Sequence, residues 1–300
     1  MSAWTPAAVD AAKPRVVASI PPLHSLAVSL LAGIAEPALI LSGGASPHGY
    51  ALKPSEARTL ARADVVLWIG PELEGFLVRP LANLPEGATV LRLGAAPGLT
   101  RRPVRARRAD GGGLDHDHGH DQGHKHGRAA TDPHLWLDPG NARAMARAMA
   151  DALARRDPAR TDIYRRNLAR LDDRLGRLET DMTARLQPVR ERRFVVFHDA
   201  YQYLEARFGL QSAGAVAIDA DRPPGAAHVR ALKRTLEAGG VACLFTEPQF
   251  PPKLAKTLSE GTGVRLAVLD PMGNGIKPGL DQYFVMMRAN ADALFRCLSR

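Results

Sequence analysis

Between Pro158 and Pro188 the chain carries Tyr164, Leu168, Leu171, Leu175, Leu178, Met182 and Leu186, spaced by threes and fours. That spacing places them on one stripe of a helix. About 30 residues at about 1.5 Å per residue give roughly 45 Å, long enough to tie two lobes together. Asp157 and Pro158 form a favourable cap and first-turn pair, and Pro188 stops the pattern. A two-stranded coiled coil is the rival reading of the same stripe.

The flanks on both sides alternate between strand-like and helix-like segments. RVVASI, a Pro-opened PPLHSLAVSLLAG and PALILSGG read as strand, helix and strand. KPSEARTLARA with Ser55 as a weak cap, DVVLWIG, PELEGFLVRPLANL started by Pro71, and ATVLRL continue the series. NARAMARAMADALARRD is a helix leading to the long stripe. Beyond Pro188 the alternation resumes with RRFVVFHDAYQYLEARFGL, AGAVAI, RPPGAAHVRALKRTLEAGG, VACLFTE, PPKLAKTLSEGTG and VRLAVLD, and it closes on a final helix through DQYFVMMRANADALFRCLSR. The expected class is α/β, with two similar halves, mostly parallel sheets and one long connecting helix. The predicted division is a tail at 1–14, a first lobe at 15–156 with a loop at 100–130, a linking helix at 157–188 and a second lobe at 189–300.

The loop is the most polarised window. GGGLDHDHGHDQGHKHG holds His116, His118, His120, His124 and His126, half of the ten histidines. Imidazole is the commonest protein ligand for first-row transition metals, so zinc or a near neighbour is implied. These five share no fixed spacing on a rigid element, which suits weak, exchanging coordination rather than a closed tetrahedral site. His134 differs. It lies in TDPHLWLDP, where Pro133 and Pro139 restrict the backbone, Asp132 is placed to orient the imidazole, and Asp138 either does the same or caps the next helix. His48 lies in a loop after a strand, and His198 and Asp199 end another; Asp270 ends the last strand. Ends of parallel strands are where α/β proteins gather ligand groups. His24 reads as packed or surface, His228 as exposed on its helix, and Trp68 and Trp136 as core anchors.

Composition narrows the function classes. The formal charge of +9 is mostly Arg on helices and in RRPVRARR, and aromatics are only 5%, so nucleic acid is not the expected partner. No GxGxxG fingerprint or phosphate loop points to a nucleotide. No run of about 20 apolar residues is long enough to cross a bilayer. MSAWTPAAVDAAKP lacks the basic and apolar regions of a signal peptide, although AAVDAA is rich in small residues. Cys243 and Cys297 fit either one disulfide or two buried thiols.

SPHGYALKPS, DVVLWIGPELEGFL, TDPHLWLDP, FHDAYQYLEARFGL, ACLFTEPQF and VLDPMGNGIKPG, in this order and with a His-rich insertion before the third, resemble the cluster 9 family of metal solute-binding proteins. Within it they are most similar to the zinc members that serve bacterial high-affinity ABC importers. The resemblance implies two α/β lobes joined by a long backbone helix, with the metal between them. It implies His48, His134 and His198 as ligands, with Asp270 or water completing the set. Some zinc members carry Glu just before the first ligand, where this chain has Pro47. Three imidazoles favour zinc over manganese, whose sites prefer more oxygen. The resemblance also implies a Cys243–Cys297 disulfide and hence an oxidising periplasm.

The implied activity is capture of Zn²⁺ and its delivery to a membrane permease, by a monomer, with a zinc-donating accessory protein as a further expected partner. The His-rich loop would gather zinc or slow its loss. The alternatives are a manganese or other divalent-metal carrier of the same family, or a zinc-dependent adhesion or buffering protein using the same ligands. A zinc hydrolase would need only three histidines and an open position, but the chain has neither HExxH nor a nucleophile motif.

Overall fold

The computed structural model describes residues 12–42, 44–105, 130–217 and 224–300, so the five histidines of the His-rich run lie outside the described residues. The first half contains β1 (Val16–Ala18), α1 (Pro21–Leu30), β2 (Ala38–Leu39), α2 (Pro54–Ala61), β3 (Val65–Trp68), α3 (Val78–Ala82) and β4 (Thr89–Arg92). Its sheet is parallel throughout, in the order β2-β1-β3-β4. Next come α4 (Pro139–Arg156) and α5 (Thr161–Leu186). The second half contains β5 (Arg193–His198), α6 (Gln202–Phe208), β6 (Gln211–Ala217), α7 (Ala226–Glu237), β7 (Val241–Thr246), α8 (Lys253–Ser259), β8 (Arg265–Val268) and α9 (Gln282–Leu298). Its sheet, β6-β5-β7-β8, is also parallel and repeats the strand order of the first.

The inner strands β1 and β3 are buried along their whole length, and β5 and β7 nearly so, because helices cover both faces of a parallel sheet. The edge strands β4 and β8 alternate between partly covered and exposed residues. In each sheet the strand order reverses between the first and third strands of that half. Loops leaving the carboxyl ends there diverge to opposite faces and open a crevice.

The stripe on α5 is buried at Tyr164, Leu171, Leu175, Leu178, Met182 and Leu186, with Leu168 partly covered. These side chains join one apolar core with residues of α1, α4 and α9, so no stripe is left for a second chain and the coiled-coil reading is set aside. The helix is extended by 3-10 turns at Pro158–Arg160 and Gln187–Val189. Asp157 does not cap it: its Oδ2 accepts the Tyr164 hydroxyl at 2.8 Å and Arg160 at 3.0 Å.

Other local expectations also change. No helix starts at Pro71. The chain turns there, because the buried Glu74 carboxylate accepts the N–H groups of Ile69 and Gly70 and the Ser19 hydroxyl, and α3 begins only at Val78. Ser55 is not the cap of α2; Glu56 accepts the Lys53 N–H at 2.9 Å. His228 is half-buried rather than exposed, with Nε2 2.8 Å from the Ala215 carbonyl. His24 is buried against the Pro37 carbonyl at 2.9 Å, and Trp68 and Trp136 are buried. Cys243 of β7 and Cys297 of α9 form a disulfide across 54 residues. Among the described residues no helix is long and apolar enough to cross a membrane.

Candidate metal centre

Three imidazoles meet in the crevice. His48 comes from the loop after β2, where the Ser46 hydroxyl accepts its N–H at 3.3 Å. His134 immediately precedes the short 3-10 turn Leu135–Leu137. His198 is the last residue of β5. One nitrogen from each lies within 4.8 Å of the others, and Nε2 of His48 is 3.2 Å from Nε2 of His134. Ring centroids are 4.9 to 5.3 Å apart. A zinc ion with bonds of about 2.0–2.1 Å in tetrahedral geometry separates its ligand nitrogens by roughly 3.3 Å. The His48–His134 pair already has that spacing, and small ring movements bring in the third. The cavity they line is ≈ 10 Å³, room for a single atom-sized occupant.

The surroundings fix how the rings present their nitrogens. Asp132 Oδ1 sits 2.7 Å from His134 Nδ1 and also accepts the His134 backbone N–H at 3.0 Å. That contact assigns the proton to Nδ1 and leaves the Nε2 lone pair facing the cluster. The second Asp132 oxygen accepts the Gln202 amide of α6 at 2.9 Å, so a residue of the second lobe braces a histidine of the first. Burial alone would raise the Asp132 carboxyl, but the charge and hydrogen bonds of His134, with Gln202, hold it below its ordinary value. Behind His198, Glu247 Oε2 lies 3.7 Å from Nδ1.

The rings respond differently to this setting. Burial pushes His48 down to about 2, and the neighbouring His134 and His198 add to the effect. Burial would also lower His198, but the nearby Glu247 carboxylate, followed by Asp199 and Asp132, leaves it raised. Three convergent imidazole nitrogens with carboxylates behind two of the rings are suited to a cation.

Asp270 is not in this convergent group. Its Oδ1 accepts the N–H groups of Met272 at 3.0 Å and Gly273 at 2.9 Å, while Oδ2 accepts the N–H of Asn274. Gly273 allows this tight turn because its φ of +73° is open to glycine. The turn forms one wall of the site, where the Trp136 indole N–H reaches the Pro271 carbonyl at 2.7 Å. Asp138 caps α4 through the Gly140 N–H at 2.7 Å and pairs with Arg207. Asp199, beside His198, pairs with Arg105 at 2.8 Å rather than with the imidazole. The contacts of Glu247, Gln202 and Arg105 escape sequence reading, although Glu247 directly follows a strand that pairs with the one carrying His198.

A family profile described as the zinc-uptake complex component A, periplasmic (ZnuA) matches residues 16–297. The high-affinity zinc uptake system protein ZnuA of Brucella suis biovar 1 is 39% identical over 95% of this chain and 92% of its own length. Its namesake from Yersinia pestis is 34% identical over 96% of this chain and 92% of that protein. Among solved structures, the periplasmic zinc binding protein TroA from Treponema pallidum superposes with a TM-score of 0.79 at 19% identity, covering 96% of this chain and 100% of that one. The last likeness is one of fold.

Proposed function

The chain belongs to the ZnuA family of periplasmic zinc-uptake components, and from that premise we propose that it captures Zn²⁺ in the periplasm and hands it to the permease of an ABC importer. The observation that carries the reading is the convergence of His48, His134 and His198, with an aspartate behind one ring and a glutamate behind another. Three neutral nitrogens suit zinc better than manganese. Water or Asp270 is the fourth ligand in this proposal, with water favoured because both Asp270 oxygens already accept backbone N–H groups. The ion is cargo, held and released without chemistry. Asp132 and Glu247 each face the Nδ1 edge of an imidazole, the place of a carboxylate that orients a ligand. We further assign the lobes to 15–156 and 189–300, with 157–188 as the link, a monomeric carrier, and the His-rich run as an auxiliary collector that an accessory zinc donor could also serve.

Calorimetric titration of the metal-free protein with Zn²⁺ and Mn²⁺ tests this. One tight zinc site is expected, with manganese weaker by at least about tenfold, as the ligand softness argument requires. Equal affinity for both ions would refute zinc capture. Lowering the pH from about 7.5 to 5 should weaken zinc binding, since protons compete for imidazole. His48, held down to about 2, offers no competing proton in that window, whereas His198, raised, does. The logarithm of the affinity should therefore fall by fewer than about three units per pH unit. An affinity independent of pH across this range would exclude the histidine site.

A further inference from the structure

The parallel pairing of β5 with β7 sets Val196 beside Phe245, and two residues further along each chain lie His198 and Glu247. Glu247 is 4% exposed, lines the same cavity as the three histidines, and points Oε2 at His198 Nδ1. Among the described residues its other oxygen, Oε1, has no hydrogen-bond partner within range, nor does the buried hydroxyl of Tyr201, which feels the Glu247 charge. A buried carboxylate left half-satisfied is destabilising on its own, and a purely structural position would favour an amide or an apolar side chain. The neighbouring carboxylates are committed elsewhere: Asp199 to Arg105 and Asp270 to its own turn. Among the described residues Glu247 is the carboxylate paired with His198 Nδ1, at 3.7 Å, a looser counterpart of the 2.7 Å contact between Asp132 and His134.

We propose that Glu247 is a positioning residue for metal capture: it holds His198 by Nδ1–H, aims Nε2 into the cluster, and with Asp132 places two negative charges behind neutral imidazoles, so the assembled site is electrically balanced by a divalent cation. The inference rests on the zinc-capture reading and adds to it the origin of charge selectivity. An ion in the cluster makes the His198 Nδ1–H more acidic and strengthens its hold on the carboxylate. A monovalent cation leaves one buried negative charge uncompensated.

The test compares the full chain with its Glu247→Gln and Glu247→Ala variants, in competition titrations with Zn²⁺ and with Ag⁺, a monovalent ion that also accepts imidazole ligands. Thermal unfolding of the metal-free forms is measured alongside. Both variants should fold, and Glu247→Gln should unfold at or above the wild-type temperature. Zinc affinity at the tight site should fall by about 10–100-fold, the range for loss of a carboxylate behind a ligating histidine. Silver affinity should fall by much less. Unchanged zinc affinity in both variants would overturn the proposal, and so would equal losses for the two ions, which mark a merely structural role. Failure of the wild-type chain to bind zinc tightly would instead overturn the zinc-capture reading, and this inference with it.

Discussion

Replacing His134 by alanine is expected to weaken zinc binding at the tight site by at least about a hundredfold. Apparent binding energies of about 10–16 kcal/mol for closed four-ligand zinc sites give about 3 kcal/mol per donor, and about 1.4 kcal/mol is a factor of ten. His134 should lie at the upper end of that loss, because its removal disturbs more than one coordinate bond. The Asp132 carboxylate would keep Gln202 and the backbone N–H of residue 134 but lose the imidazole, leaving a buried negative charge underpaired. The metal-free variant should therefore also unfold more easily, and excess zinc should no longer raise its unfolding temperature as it does for wild type. Deleting residues 111–127 is the companion measurement, since it removes the five clustered histidines and spares the crevice. Wild-type affinity in His134→Ala, with loss of tight binding in the deletion, would move the principal site to the His-rich run and refute the assignment made here.

How far such a site is legible from sequence depends on whether its parts are local. The stripe on α5, the strand and helix alternation, and the Asp-Pro-His arrangement at 132–134 are short-range patterns, and each carries its own physical constraint. Pro133 and the following turn hold Asp132 and His134 two residues apart on one imidazole edge, so their contact is already implied by the chain. Glu247 and His198 are 49 residues apart and meet only because β5 and β7 are neighbours in register. Gln202 reaches Asp132 only because α6 of one lobe leans on the insertion root of the other. Asp270 shows the opposite case: a carboxylate at a strand end reads as a ligand, and the N–H groups that the glycine turn after it donates to its oxygens are invisible in the sequence. Helix ends differ from the local pattern for a related reason. After Pro71 the buried Glu74 accepts the Ser19 hydroxyl, and Asp157 accepts the Tyr164 hydroxyl, and these bonds outweigh the local capping preference.

Reduction of the Cys243–Cys297 disulfide is expected to lower unfolding stability by about 4 kcal/mol, the chain-entropy value for a loop of this length. The bridge joins the buried inner strand β7 to the last turn of α9, and α9 in turn packs on α1 and α5. Cutting it frees the unfolded chain far more than the folded one. In the native state, Arg265 of β8 still donates to the Cys297 carbonyl at 2.8 Å, and the α9 side chains remain in the core. Denaturant unfolding of the Cys243→Ala/Cys297→Ala double variant should therefore show a lower midpoint, with the zinc affinity of the folded protein close to wild type. Zinc at about 100 times its dissociation constant should restore about 2.7 kcal/mol, because it binds the folded state alone. The alternative is that the bridge positions β7 itself, in which case zinc affinity would fall together with stability, since Glu247 follows directly on that strand. An unchanged midpoint would mean that the core alone fixes α9 against the sheet. Separating affinity from stability in one variant thus distinguishes a bridge that restrains the unfolded chain from one that shapes the metal site.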